Sequence, residues 1–377
     1  MRNAPEERMR VVVIGGGIAG ASAAYELAES ADVVLLEREA VCGYHSTGRS
    51  AALFTECYGD PVVRRMAMAS RPFLARPPEG FTEEDILRPR SVLFVGTGAQ
   101  HAALQASLDD YRSMVPSVRG VSAEEALVMC PALDERVIVG GIFEPGAQDI
   151  DVHALHLGYQ QGLRRRGGRI LTNAAVGGLR RTSTGWTVES NSGSFDADVV
   201  VDAAGAWCDL VGAMAGARPI GLVPKRRTAF TFRPGVEHRS WPMVIDVDEH
   251  WYFRPEGVQV LASPADETPT EPVDVRHDEA DVALAIQRIT AVTRLSIRSV
   301  DHAWAGLRSF VADHRPVNGW DSDLPGFYWL AGQGGFGIKT SPAMARFAAG
   351  MILHGQPPPD LIAAGITPDL VGVARLR

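Results

Sequence analysis

Four cysteines in 377 residues, Cys42, Cys57, Cys130 and Cys208, form no Cys-x-x-Cys pair and stand at no metal-ligand spacing from a histidine. That scarcity excludes a disulfide framework, a thioredoxin-like redox motif and a structural zinc site. It leaves four small apolar side chains, no metal and a reducing, cytoplasmic setting as the expectation. Long apolar runs are missing too: nothing approaches the ~20 consecutive residues that span a bilayer. Charged Met1 to Arg10 leads straight into a strand, so no signal segment is expected. Positive charge is also short. Lysine plus arginine number 37 against 45 acids, net -8, which disfavours a nucleic-acid or anionic-membrane surface and leaves room only for a local basic patch. Neither an internal repeat nor a low-complexity tract is present.

What the chain does have is glycine in particular places. Val11-Val12-Val13-Ile14 is a run of β-branched residues without polar alternation, which suits a parallel strand covered on both faces. It enters Gly15-Gly16-Gly17-Ile18-Ala19-Gly20 and a helix read from Ala21 to about Glu29. In a dinucleotide-binding turn Gly15 makes the bend and Gly17 leaves room for a pyrophosphate. Gly20 lets helix and strand close up, and the helix N-terminus faces the phosphates. A second apolar strand, Asp32 to Leu36, ends in Glu37, where a carboxylate receives ribose hydroxyls. Glu37 would repel a 2′-phosphate, and neighbouring Arg38 would favour one.

The rest of the chain reads as helix from Asp60 towards Leu87, a strand at Ser91 to Val95, and a Ser122/Glu125 capping box. An Asp151-capped helix carries Val152, Leu155, Tyr159 and Leu163 on one face and stops at Gly167-Gly168. The strand Val199 to Val201 delivers Asp202-Ala203-Ala204-Gly205-Ala206-Trp207 to the carboxyl edge of a sheet, where a ligand can approach. Strands are read around Thr228 to Phe232, Trp251 to Phe253 and Val258 to Leu261, with a polar segment from Ser263 to Asp281. After the strand Phe327 to Ala331, a second glycine-rich loop, Gly332 to Gly337, leads to a helix opened by Ser341-Pro342.

Residues Glu37-Arg38-Glu39 followed by Tyr44-His45-Ser46-Thr47-Gly48-Arg49-Ser50-Ala51-Ala52 closely resemble the FAD-binding segment of the D-amino acid oxidase-like flavoenzymes. Within that family they look most like the bacterial D-arginine dehydrogenase branch. The resemblance recurs at Ala203 to Asp209, Pro224 to Arg227, Trp304 to Phe310 and Gln333 to Ile338. It implies an α/β fold: a discontinuous Rossmann-like FAD domain (9–88, 145–219 and 304–377) and an α+β substrate domain on an antiparallel or mixed sheet (89–144 and 220–303). It implies FAD contacts at Gly15, Gly17, Ile18, Ala19, Glu37, Arg38, Ser46, Thr47, Arg49, Ser50, Ala51, Val176, Ala204, Gly205, Trp207, Gly334, Gly337, Ile338 and Lys339. His45 is taken as structural or cofactor-facing.

The same resemblance assigns Arg308 to a substrate carboxylate, with Arg227 beside it. Tyr58 and Tyr252 would bond or close over the substrate, and the Gly335 carbonyl would accept from its amine. An arginine in the apolar, aromatic stretch Trp304 to Phe310 fits that role on its own chemistry, since a guanidinium grips a carboxylate bidentately. Two departures bear on specificity: Leu53 stands where the D-arginine branch has a histidine, and Val92 or Ser91 where it has the acid that pairs a guanidinium. The expectation is a neutral or hydrophobic D-amino acid, oxidised to an imino acid that hydrolyses to a 2-oxo acid and ammonia. The electron acceptor is left open between oxygen, a quinone and a dye-like carrier. Lys339 replaces an uncharged family residue, either changing the charge felt at the flavin or standing solvated at a helix start. The sarcosine oxidase branch attaches its flavin through a cysteine in the C-terminal half; with none after Cys208, the resemblance implies a non-covalent flavin. The alternatives are a glycine, sarcosine or imino-acid oxidase, and a catalytically silent flavin-binding protein.

Overall fold

A computed structural model describes residues 8–377. Met1 to Glu7, within the charged N-terminal stretch, lie outside the described residues. The run Arg10–Ile14 forms a strand at the centre of a six-stranded sheet, between Asp32–Leu36 and Val199–Asp202. Both neighbours are parallel, with Val13 opposite Leu35 and Val201. Phe327–Ala331 extends the sheet in parallel, Arg169–Leu171 closes one edge and Val317–Trp320 runs antiparallel at the other. Helices cover one face, and the antiparallel sheet Val176–Arg181, Trp186–Ser190 and Gly193–Ala197 with the helix Cys208–Met214 covers the other, which is why the strands carry no polar alternation.

The first helix is Ile18–Leu27, beginning at the glycine motif itself. It packs against Val152–Arg165 and Gly337–His354 in one apolar core. Asp151 caps Val152–Arg165 as its sequence predicts, its Oδ1 accepting from Ala154 N at 2.9 Å, and the Ser122/Glu125 capping box forms with both bonds.

Three helix boundaries differ from expectation. The first helix starts at Ile18 rather than Ala21, and the one after Asp60 is Pro61–Ala75, ending before Pro77-Pro78 rather than running on to Leu87. Gly337–His354 starts four residues before Ser341, so Pro342 lies inside it. Proline cannot donate to the Ile338 carbonyl, and the Ser341 hydroxyl takes that carbonyl instead at 3.0 Å. The helix N-terminus therefore meets the glycine loop directly.

The second sheet has nine strands and mixed direction. Met243–Asp246 pairs in parallel with Val92–Thr97, and the other contacts are antiparallel. The strand His302–Phe310 lies along Val223–Phe232 with Arg308 opposite Lys225 and Gly306 opposite Arg227. A domain boundary at 304 thus falls inside a strand of this sheet, because the strand that carries Arg308 is continuous through it. The helix Glu279–Val292, capped by Asp278, covers one face.

Candidate active site

A single cavity of about 640 Å³ runs from the carboxyl edge of the six-stranded sheet to the inner face of the nine-stranded one. At the first end the backbone does most of the shaping. Gly15 adopts φ +107°, and a Cβ there would strike the Ala203 carbonyl; one on Gly20 would strike the Gly15 carbonyl. These are the bend and the close packing that the motif requires. Glu37 is buried and accepts from Gly16 N at 2.7 Å and Glu39 N at 2.8 Å. Its carboxylate has further acceptor capacity on the cavity side. Thr47 Oγ1 accepts from Ile18 N at 3.0 Å, and Ser46 Oγ donates to Leu307 O at 2.7 Å. These hydroxyls join the segment to the helix start and to the second sheet. Arg49 pairs with Asp274 and donates to Val275 O, while the Trp207 ring lies tilted against that of His45. Fully buried Asp202 holds the next turn by accepting from Ala204 N; burial raises its carboxyl well above the usual range.

Side chains shape the other end. Lys225, Arg227 and Arg308 occupy one face of the paired strands Val223–Phe232 and His302–Phe310, because positions two apart share a face. Glu267 answers two of them, Lys225 at 2.9 Å and Arg227 at 3.2 Å, and the Asp266 carbonyl accepts from Arg227 Nε at 2.8 Å. Arg308 differs. Among the described residues no carboxylate lies within 4.0 Å of it, and its hydrogen bond runs from NH1 to Tyr58 Oη at 3.3 Å. The guanidinium lies flat on Gly335, where a Cβ would stand 2.6 Å from Cζ. Burial pushes the Tyr58 phenol up, against the pull of Arg308, so it is neutral at neutral pH. The Glu249 carboxyl stands near the Tyr58 phenol, and burial raises it.

Nearly all residues named from the sequence line this cavity: each proposed FAD contact except Lys339, and Arg227, Arg308, Tyr252 and Gly335 at the far end. Tyr58 reaches it through Arg308. Three expectations need correcting. Lys339 is neither solvated nor in the cavity: it is buried and donates to the Thr55 and Tyr58 carbonyls. Val92 is fully buried in the core beside Phe94 and Ile142, since its strand is interior to the sheet. Leu53 packs in the same cluster and pairs with Asp149. Neither lines the cavity, so neither sets its chemistry. Its lining carboxylates are Glu37 and Glu39, both at the first end.

Sequence reading missed His156, whose Nε2–H donates to Gly16 O at 2.9 Å; burial lowers its pKa. The signal was present, for His156 lies four residues after Val152 and three before Tyr159 on the buried face. Glu267 and Asp274 sat unremarked in a polar segment, and Glu249 in a loop. Asp246, Asp248 and His250 bring ligand atoms within 4.8 Å of one another, but both aspartates already accept from Gln100 Nε2. Among the described residues no helix is long and apolar enough to cross a membrane.

Comparisons with known proteins bear on family and fold. Human mitochondrial dimethylglycine dehydrogenase is 26% identical over 95% of this chain, which spans 44% of that protein. The chain thus spans less than half the length of the curated relatives it first matches. Glycine oxidase of Geobacillus kaustophilus is 24% identical over 96% of this chain and 97% of its own. In fold, L-proline dehydrogenase of P. horikoshii superposes with a TM-score of 0.82 at 22% identity, covering 96% and 99% of the two chains. L-α-glycerophosphate oxidase of Mycoplasma pneumoniae, solved with FAD bound, gives 0.83 at 18% identity, covering 93% and 96%. The profile described as DAO, FAD dependent oxidoreductase, matches residues 10–351, and the chain belongs to that family.

Proposed function

We propose that this protein oxidises the CH–NH bond of an α-amino acid, and that Arg308 holds the substrate carboxylate. The observation that carries the reading is an arginine facing the cavity with one protein hydrogen bond and no acid within ion-pair distance. A guanidinium has five donors and keeps its charge, so donors left facing the cavity are ready to be met by a ligand's acceptors. FAD fits the opposite end, where glycines keep the backbone clear and Glu37 faces the ribose position. Bound there, FAD supplies the two-electron acceptor for hydride from the substrate Cα.

The chain's own residues orient the substrate. Arg308, with Arg227 near it, fixes the carboxylate, the Gly335 carbonyl accepts from the amine, and Tyr252 closes the side. The imino acid then hydrolyses in water to a 2-oxo acid and ammonia. The D configuration and the placement near D-arginine dehydrogenases rest on the sequence resemblance. Neutral or hydrophobic side chains fit a lining whose carboxylates both lie at the ribose end. The second reading, a glycine, N-methylated or cyclic imino acid as substrate, is supported by the names of the relatives. FAD is non-covalent in this proposal, since no cysteine follows Cys208; acid precipitation should release it into the supernatant.

The test is anaerobic flavin bleaching against D- and L-amino acids, glycine, sarcosine and proline. The expected result is bleaching by neutral D-amino acids. Preference for sarcosine or proline would select the second reading, and preference for D-Arg or D-Lys would contradict the neutral pocket.

A further inference from the structure

Lysine occurs only at Lys225 and Lys339, while arginine carries the rest of the positive charge. Lys339 is 3% exposed and stands in the first turn of Gly337–His354. That is a costly place for an ammonium, which meets both desolvation and the positive end of the helix dipole. Its partners explain it. Nζ donates to the carbonyl oxygens of Thr55 at 2.9 Å and Tyr58 at 2.8 Å. Buried Glu144, at the end of Ile138–Glu144, holds the same segment through other groups. It accepts from the Thr55 hydroxyl at 2.6 Å and from Glu56 N at 2.8 Å. A base from one domain and an acid from the other sheet thus grip four residues, Thr55 to Tyr58. The far end of that grip is the tyrosine hydroxyl that accepts from Arg308.

We propose that Lys339 and Glu144 form a buried clamp that positions Tyr58, and through it the Arg308 guanidinium, for the substrate carboxylate. The inference rests on the carboxylate-binding reading of Arg308. Both are positioning residues, as neither lines the cavity. Lysine suits the place better than arginine, because a compact ammonium has three donors to satisfy and a guanidinium five. Glu144, Cys57 and Glu56 favour the Lys339 charge, whereas burial, the largest influence, and Arg64 oppose it; its pKa falls to about 8. Glu249 faces the Tyr58 hydroxyl from the 247–251 loop. As pH rises through about 8 the charge-assisted bonds to the two carbonyls weaken, and the clamp's hold on Tyr58 loosens.

The test uses flavin-loaded protein and benzoate, a carboxylate with no amine to titrate, followed by the change in flavin absorption. The parent should bind benzoate and bind it more weakly as pH passes about 8. Lys339→Met should bind about tenfold more weakly at neutral pH, with that pH break gone. With an amino acid, KM should rise more than kcat falls. Glu144→Gln keeps an acceptor for Thr55 and should lose several-fold less; it carries the test if Lys339→Met does not retain flavin. Equal benzoate affinity and an unchanged pH break in the variants would overturn the clamp while leaving the Arg308 reading intact. A parent that binds no benzoate would overturn both.

Discussion

The two ends of the cavity are built by different means. At the nucleotide end the shape is backbone: glycines are present because a Cβ would strike a carbonyl, and Glu37, Thr47 and His156 each hold a main-chain group of the turn. At the substrate end the shape is side chain: three cations on one strand pair, two answered by Glu267 and one left to the cavity. Fixed backbone needs no ligand to be satisfied, whereas an under-paired guanidinium does. The first end therefore specifies a cofactor shared across a family, and the second specifies whatever supplies the missing acceptors.

The strongest way to break the first end is Gly20→Ala. Its methyl would collide with the Gly15 carbonyl, and overpacking against backbone should cost about 3 kcal/mol. Thermal unfolding and flavin content together should show a lower Tm and protein that purifies largely without flavin. An unchanged Tm would mean that the helix and strand are not in contact there.

A smaller effect at the same end depends on pH. His156 is buried with its pKa lowered from 6.5, so the unfolded chain binds more protons than the folded one. That contribution to stability is intact above 6.5 and is lost as pH falls from there towards the folded value, with a slope of up to about 1.4 kcal/mol per pH unit. His156→Gln retains a donor for Gly16 O and removes the titration. Denaturant midpoints for the variant should fall less steeply below 6.5 than those of the parent.

The smallest effect separates the ends by substrate preference. Leu53→Ala should leave the order of preferred amino acids unchanged, with rates moving less than about threefold, because a side chain outside the cavity touches no substrate. A reordered preference would bring Leu53 back as a determinant of specificity.

Legibility followed the same division. The glycine turn, the first two strands and the acid that ends the second could be read locally, because each depends on neighbours in sequence or on a strand–turn–helix unit. Arg308 was readable as a charge in an apolar stretch, but its missing partner was not, since that depends on Glu267 pairing with Arg227 and Lys225 instead. Lys339 resisted for a related reason: its partners Thr55 and Tyr58 lie more than 280 residues away. Val92 misled because its place in the sheet is not local: it shares a face with cavity-lining Tyr252, but several strands away from Arg308, packed among Phe94, Ile142 and Met243. The start of the last long helix was missed because Pro342 looks like a helix opener, and only the Ser341 hydroxyl reveals how the proline is accommodated inside.

The most direct measurement compares an amino acid that bleaches the flavin with the amine that lacks its carboxylate, in the parent and in Arg308→Met. The account predicts that the parent reduces with the amino acid far faster than with the amine. Arg308→Met should keep its flavin and lose roughly a hundredfold or more in kcat/KM for the amino acid alone. Equal rates for acid and amine in the parent, or an unchanged rate in Arg308→Met, would contradict it.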